Sequence, residues 1–440
     1  MTYHLGYGTN GFANHRLDDA LAVIADLGYT AVALTLDHHH LDPFADNVAR
    51  HTARLAARLA ELDLRVVVET GARYLLNPHR KHHPTLVSED QDVRVDFLIR
   101  ATRIAADLGA DCVSFWSGAG DSWDLLRSGV TKVLDRSHDV VLGLEPEPGM
   151  LVERLADALR LRTELGDPDR LRITLDVGHC VAVEPQDAAT CLRQAGDLLV
   201  NVQLDDMLPG VHEHLEFGEG RLDLADALGA LTDIGYSGVA AVELPRHGHA
   251  APEVARRSLD ALRAARWLAH AERTVREDPG SVQRFFSAAG RETGFGADDA
   301  RIRLVVACAE ASPDVAEGLT ALYRRGSSAE RRAVLHALTE VGGKAPDAGL
   351  VLVKDALRTN ETGLVTAALG AFAGKHLDQH SWRHGVLKCL FMGVPLDAVA
   401  GLEQRTDAEL LRMVAAFADE RGAAGRPVPH DALTLLGKAS

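Results

Sequence analysis

Along the first 270 residues, short apolar runs rich in β-branched side chains recur every 25 to 40 positions. Each is followed by a longer stretch in which apolar residues return every three or four positions. That alternation predicts repeated strand-helix units around a parallel sheet. Eight runs qualify: Leu5 to Thr9, Ala31 to Leu36, Arg65 to Glu69, Cys112 to Trp116, Val140 to Glu145, Arg172 to Asp176, Leu199 to Gln203 and Val239 to Glu243. Between them lie amphipathic segments such as LDDALAVIADLGY, VDFLIRATRIAADLGA and LADALGALTDIGY, with glycines placed to cap helix C-termini. Eight such units in about 250 residues match the size of a (β/α)8 TIM barrel. The rival is an open doubly wound sheet, but no GxGxxG follows the first strand to mark a dinucleotide site.

From about residue 270 the alternation stops. The chain becomes rich in Ala, Leu and Arg with helical spacing throughout, as in SAERRAVLHALTEV and LVTAALGAFAGKHL. Ser327 with Glu330, and Thr406 with Glu409, are spaced as capping boxes at two helix starts. REDPGS at 276 to 281 punctuates the change. The expected organisation is α/β, a TIM barrel over 1–270, followed by an all-α helical domain over 281–440.

Charge and cysteine content narrow the function. With 47 Lys and Arg against 63 Asp and Glu, the formal charge is −16, which disfavours a phosphate backbone or an anionic membrane as main partner. Nucleic acid is not expected. The five cysteines contain no CxxC pair and cannot all pair within one chain, so a reducing cytoplasm is the expected compartment. No signal-like opening or uninterrupted run of 18 apolar residues is present, and membrane insertion is not expected.

In a barrel, the residues closing each strand at its C-terminal end face the active site. Here they are acidic or oxygen-bearing: Glu69, Glu145, Asp176, Gln203 and Glu243 close strands three, five, six, seven and eight. Carboxylates converging on one mouth repel each other unless a cation lies among them, so a divalent metal is the natural neutraliser. The sharpest local motif is LDVGHC, where Asp176 closes a strand and His179 follows three residues on. It stands beside LEPEPG around Glu145, VQLDDM at 202 to 207, HEHLEFGEG at 212 to 220 and VELPRHG at 242 to 248. After strand three, ETGARYLLNPHRKHHPTL carries Arg73, His79, Arg80, Lys81, His82 and His83, a cationic loop suited to a substrate phosphate or carboxylate. Asp37 to His40 after strand two offers a further metal or substrate contact. GEG at 218 to 220 reads as a turn whose backbone NH groups face the pocket.

These segments resemble the xylose-isomerase-like TIM barrels, the superfamily of sugar-phosphate isomerases and epimerases that also includes the apurinic endonucleases. The resemblance implies a single-metal site on Glu145, Asp176, Gln203 and Glu243. Gln203 stands where the family has His; an all-oxygen set of this kind favours Mn²⁺ or Mg²⁺, with Co²⁺ or Zn²⁺ as alternatives. It further implies Glu145 and Glu243 as the acid/base pair and His179 as a substrate contact. His214 is placed near the substrate or as a replacement ligand, and Glu69 and Arg73 complete the substrate-binding set. In the helical part, LRTNET (357–362), the segment 376–396 and ERGAAGRPVP (420–429) resemble the EboA family of bacterial secondary-metabolite clusters, over roughly 281 to 435. That implies a pathway-protein partner, with Arg358, Asn360, Trp382, Arg383 and Lys388 as a binding surface.

The resulting expectation is a metal-dependent isomerase or epimerase that moves a proton next to the carbonyl of a small polyhydroxylated compound. Its substrate is a keto-sugar, sugar phosphate or keto-cyclitol in a secondary-metabolite pathway. Gln203 keeps open a non-catalytic binding or scaffold role. An apurinic-endonuclease-like hydrolase is a weaker competitor, because strand four ends at Trp116 and the net charge is strongly negative.

Overall fold

The computed structural model describes residues 3–437; the first two and last three positions of the expected domains lie outside the described residues. The chain divides into two compact units, residues 1–266 and 267–440.

In the first unit the strands are β1 (His4–Gly8), β2 (Ala31–Thr35), β3 (Arg65–Glu69), β4 (Val113–Trp116), β5 (Leu142–Glu145), β6 (Leu171–Asp176), β7 (Leu199–Leu204), β8 (Asp206–Leu208), β9 (Val211–Leu215) and β10 (Val239–Val242). Eight of them close a parallel barrel in the order β1-β10-β7-β6-β5-β4-β3-β2, while β8 and β9 pair separately as an antiparallel hairpin. All eight expected runs are therefore barrel strands. The hairpin is an addition that the periodicity does not reveal. It turns at Pro209-Gly210, with Gly210 at φ 75° and Leu208 opposite Val211, the Pro-Gly order that a type II turn requires.

The barrel follows from side-chain size and alternation. Small residues fill its lower interior: Ala31, Ala33, Val67, Cys112, Val239 and Ala241 form one buried cluster. On the outer face Val32, Leu34, Val66, Val68, Phe115, Leu142, Leu144, Val202 and Leu204 join the larger core beneath the helices. Burying residues of both faces is what a parallel sheet under a ring of helices demands. The helices Leu17–Leu27 and Gln91–Leu108 end at Gly28 and Gly109, both in the left-handed region, where a Cβ is disfavoured.

The second unit consists of helices and short turns among the described residues, packed through Phe286, Leu304, Tyr323, Leu338, Leu352 and Trp382. REDPGS forms the end of the helix Ala251–Glu277 and the turn Pro279–Ser281, capped by the Asp278 side chain. Ser327 and Glu330 form the expected capping box. The box expected at Thr406 does not form. Asp407 caps the helix Ala408–Ala423 through the Leu410 NH, and Glu409 pairs with Arg412. A carboxylate one residue later outcompetes the Thr hydroxyl as acceptor for the same free NH groups.

Candidate active site

A cavity of about 580 Å³ lies at the C-terminal mouth of the barrel, with Glu69, Glu145, His179, Gln203, His214, Glu243 and Arg73 among its lining residues. Each expected carboxylate arrives there by strand alternation. Asp176 lies beside Gln203, and Gln203 beside Ala241, in the ladder. Glu145 lies beside Trp116. Because neighbouring residues of a strand point to opposite faces, only every second residue enters the mouth.

Asp176 is wholly buried and does two jobs. One oxygen, Oδ1, accepts from the Gly178 NH at 2.7 Å and the His179 NH at 3.0 Å, capping the helix Val177–Val183. Oδ2 is buried with no hydrogen-bond partner. The cap places His179 over the mouth, where its Nδ1 lies 3.4 Å from Glu145 and 3.2 Å from the Pro146 carbonyl, and its Nε2 lies 3.1 Å from His212 Nε2. Glu243 accepts from Asn10 Nδ2 at 2.8 Å. Glu69 accepts from Asn201 Nδ2 at 2.9 Å across the barrel.

The hairpin carries the residues that the sequence left uncertain. His212 and His214, two apart on β9, lie on one face of the strand and over the mouth. His214 Nδ1 pairs with Asp205 and lies 4.0 Å from Asp176 Oδ2. Asp205 is the residue the sequence reading missed, although it stands in the quoted VQLDDM. Two places beyond Gln203, it shares that residue's inward face, while Asp206 points away. The Asp206 carboxylate accepts from the NH groups of Gly218, Gly220 and Leu222. Those GEG amides therefore wrap Asp206 and do not face the pocket: a buried carboxylate beside them is a stronger acceptor than an open cavity.

Electrostatics match this crowding. Burial, then the Glu243 charge, hold Glu145 well above the usual carboxylate range, and the same causes push Glu69 to about 8 and Glu147 to about 7. Burial raises Glu243, with His214 and Asn10 offsetting part of it. For Asp176 burial acts upward, but His179 and His214 outweigh it and the net shift is down. Burial lowers His179 to about 4. Burial and Asp176 raise Asp205, while Asp205 lifts His214 against the burial penalty to about 10. The Asp205-His214 pair thus keeps a proton well above neutrality.

Three sets of ligand atoms lie within 4.8 Å of one another: Glu145, Asp176 and His179; Asp176, Asp205 and His214; and His179, His212 and His214. Asp176 belongs to two of them. Glu243 belongs to none, being held by Asn10, but it faces the same cavity. Asp176 Oδ2, Gln203 Oε1 and Asp205 Oδ1 are buried acceptors lacking a donor. Leaving three such oxygens unpaired is costly, and a cation beside Asp176 relieves that cost where its ligand sets converge. The residues present therefore fit a divalent ion.

Other candidates fall elsewhere. Of the basic loop, Arg73, Lys81 and His82 line the cavity, whereas Arg80 faces His83, and His83 faces Asp90. Asp37 accepts from the His38 NH, and His39 and His40 line a separate cavity with Arg16 and Arg54. In the helical unit Trp382 is fully buried and donates to the Ala400 carbonyl, and Arg383 pairs with Asp407, so both are structural. Asn360 and Lys388 border a groove with Phe391 and Phe417; Arg358 is not among its lining residues. Among the described residues, no helix is long and apolar enough to cross a membrane.

Residues 21–265 match the family model described as xylose isomerase-like TIM barrel, and residues 297–437 that of metabolite traffic protein EboA. L-ribulose-5-phosphate 3-epimerase UlaE of Salmonella paratyphi A is 27% identical over 212 residues, spanning 43% of this chain and 73% of its own. The protein of the same name from Shigella flexneri serotype 5b is 26% identical over 241 residues, spanning 51% and 81%. A solved L-ribulose 3-epimerase superposes with a TM-score of 0.50 at 20% identity, covering 62% of this chain and 97% of that one, a likeness of fold. With a closed (β/α)8 barrel, an acidic mouth and sugar 3-epimerases among its relatives, the chain belongs to the xylose isomerase-like TIM-barrel family and carries an EboA domain later in the sequence.

Proposed function

We propose that the barrel is a metal-dependent isomerase or epimerase that moves a proton next to the carbonyl of a small polyhydroxylated compound, a keto-sugar, sugar phosphate or keto-cyclitol. The observation that carries this reading is the placement of the buried Glu145 and the half-buried Glu243 at the ends of strands separated by β6 and β7. Between them lie the unpaired oxygens of Asp176 and Gln203. Carboxylates that reach one cavity from non-adjacent strands can address opposite faces of a substrate, as removal of a proton from one side and return on the other requires.

Glu145, Asp176, Gln203 and Glu243 would hold the ion, with Asp205 and His214 adjoining Asp176. When bound, a divalent ion supplies a Lewis acid that polarises the carbonyl. An oxygen-rich set favours Mn²⁺ or Mg²⁺ over Co²⁺ or Zn²⁺. The chain supplies the rest. Glu243, oriented by Asn10, takes the proton on a carboxylate oxygen, and Glu145 returns one from the opposite wall. His179 Nδ1 donates to the Pro146 carbonyl, which leaves Nε2 to accept from a substrate hydroxyl in place of His212, while Glu69 and Arg73 complete the binding wall. Burial keeps water from Glu145 and limits loss of the proton it carries.

We place this activity in a reducing cytoplasm, in keeping with five buried, unpaired cysteines, and in a secondary-metabolite pathway. In this reading residues 1–270 form the catalytic module and 281–440 a helical module that docks a pathway partner. Incubating the protein with a ketose in D2O tests the chemistry. The wild type is expected to incorporate deuterium at the carbon next to the carbonyl, and Glu243→Gln to abolish incorporation with an unchanged circular dichroism spectrum. Retained exchange in Glu243→Gln removes Glu243 from the mechanism. A non-catalytic binding role, which Gln203 kept open, predicts no exchange in either protein.

A further inference from the structure

The loop after β3 forms an arch whose construction goes beyond what a solvated basic loop needs. Its two ends are tied to one buried side chain, Arg94 of the helix Gln91–Leu108. Arg94 Nε donates to the Pro84 carbonyl at 2.9 Å, while its terminal nitrogens donate to Thr70 at 3.0 Å and His82 at 2.9 Å. The guanidinium stacks at 4.7 Å from the centre of the Trp116 ring, and the residue is 2% exposed. Within the arch, His82 Nδ1 lies 2.7 Å from the Gly71 carbonyl, and the His82 NH donates to the Arg73 carbonyl at 2.6 Å. Burying an arginine is costly unless its donors are used, and here every bond it makes fixes the shape of this loop.

What the arch presents is a divided set of charges. Arg80 faces His83, and His83 faces Asp90; neither basic side chain lines the cavity. Arg73 and Lys81 line the cavity, and among the described residues neither has a carboxylate within ion-pair distance. Arg246, also on the rim, is neutralised by Glu213 at 2.6 Å. Two cations outside any ion pair therefore share the cavity with a floor of Glu69, Glu145, Glu147 and Glu243. A uniformly neutral sugar uses only the floor.

We propose that Arg73 and Lys81 are the seat for a dianionic terminal group, a phosphate monoester, so that the substrate class is a phosphorylated ketose or cyclitol with its carbonyl end on the carboxylate floor. This inference rests on the proton-transfer reading of that floor. Arg73 offers a planar fork and Lys81 a point charge, a combination that suits a tetrahedral oxyanion.

The test is calorimetric titration of the full-length, metal-loaded protein with inorganic phosphate, L-ribulose 5-phosphate and L-ribulose, in wild type, Arg73→Gln, Lys81→Gln and the outward-facing control Arg80→Gln. The wild type is expected to bind phosphate, and to bind the phosphate ester at least about tenfold more tightly than the free sugar. Arg73→Gln and Lys81→Gln each erase most of that preference; Arg80→Gln behaves as wild type. Absence of phosphate binding, or phosphate binding undiminished in both inward variants, overturns the proposal. Phosphate binding that depends on Arg73 without deuterium exchange in any ketose phosphate supports the seat while removing the proton-transfer reading. Exchange at equal kcat/KM for phosphorylated and free ketoses does the reverse.

Discussion

Gly178 gives the most demanding check on how the site is assembled. It sits in the helix Val177–Val183, and a Cβ built there would fall inside the Asp205 carboxylate, with Met207 Cγ at 2.8 Å. For an ordinary helical glycine, alanine should stabilise, through better helix propensity and a less mobile unfolded chain, by about 1 kcal/mol. Here it must displace a fully buried carboxylate that is paired with His214 and lies against Asp176. Overpacking costs about 1–3 kcal/mol, and loosening a buried charge pair adds more, towards the 3–5 kcal/mol of losing one outright. We therefore expect Gly178→Ala to destabilise the barrel by about 2–5 kcal/mol, roughly 5 to 15 °C in Tm for a unit of this size. Differential scanning calorimetry measures the shift, and elemental analysis should show reduced metal content in the same sample. In an Asp205→Ala background the alanine has room, so Gly178→Ala should then cost little; the double-mutant cycle isolates that coupling. Wild-type or higher stability in the single variant refutes the reasoning, because the sign itself is at stake.

Two further outcomes follow from buried polar groups. Arg94→Met removes three hydrogen bonds that fix the arch and leaves its carbonyls unsatisfied. It should cost about 2–4 kcal/mol and open the arch to limited proteolysis near Arg80 and Lys81; an uncleaved variant of unchanged stability contradicts the stapling role. Glu69 has its carboxyl raised from 4.5 to about 8, by burial first and then by Glu243. A raised carboxyl binds its proton more tightly in the folded state, so its contribution to folding stability is fully present below pH 4.5 and is lost as pH rises through about 8. Glu69→Gln keeps a neutral polar group and should flatten that slope in urea titrations of metal-stripped protein. An unchanged slope across pH 5 to 8 argues against a protonated Glu69.

Much of this was legible in sequence because the barrel writes itself twice, in apolar strand interiors and in the polar residue that closes each strand. Glu145, Asp176, Gln203 and Glu243 could be picked for that reason. Asp205 and Asp206 were not separated, though strand alternation already assigns them opposite faces: one enters the site and the other gathers the amides of Gly218, Gly220 and Leu222. The hairpin escaped because its strands, Asp206–Leu208 and Val211–Leu215, are too short and too polar to carry an alternating signal; Pro209-Gly210 was the available clue. Arg94 had a readable mark as well. It lies four and seven positions before Leu98 and Ala101 on the buried face of its helix, where a lone arginine needs partners. What no local pattern encodes is that those partners are carbonyls from both ends of a separate loop.

Every role proposed for the barrel mouth depends on a divalent ion held by Asp176 Oδ2. Because Oδ1 alone caps the following helix, Asp176→Asn can keep the cap while replacing the unpaired oxygen with an amide nitrogen, and Asp176→Ala removes both. Metal content of the purified, unchelated protein, measured by inductively coupled plasma mass spectrometry, should be about one Mn, Mg, Co or Zn per chain in the wild type. It should be lost in Asp176→Ala and in an Asp176→Asn protein whose circular dichroism matches wild type. No metal in the wild type even after reconstitution, or full occupancy in a folded Asp176→Asn protein, contradicts the central claim.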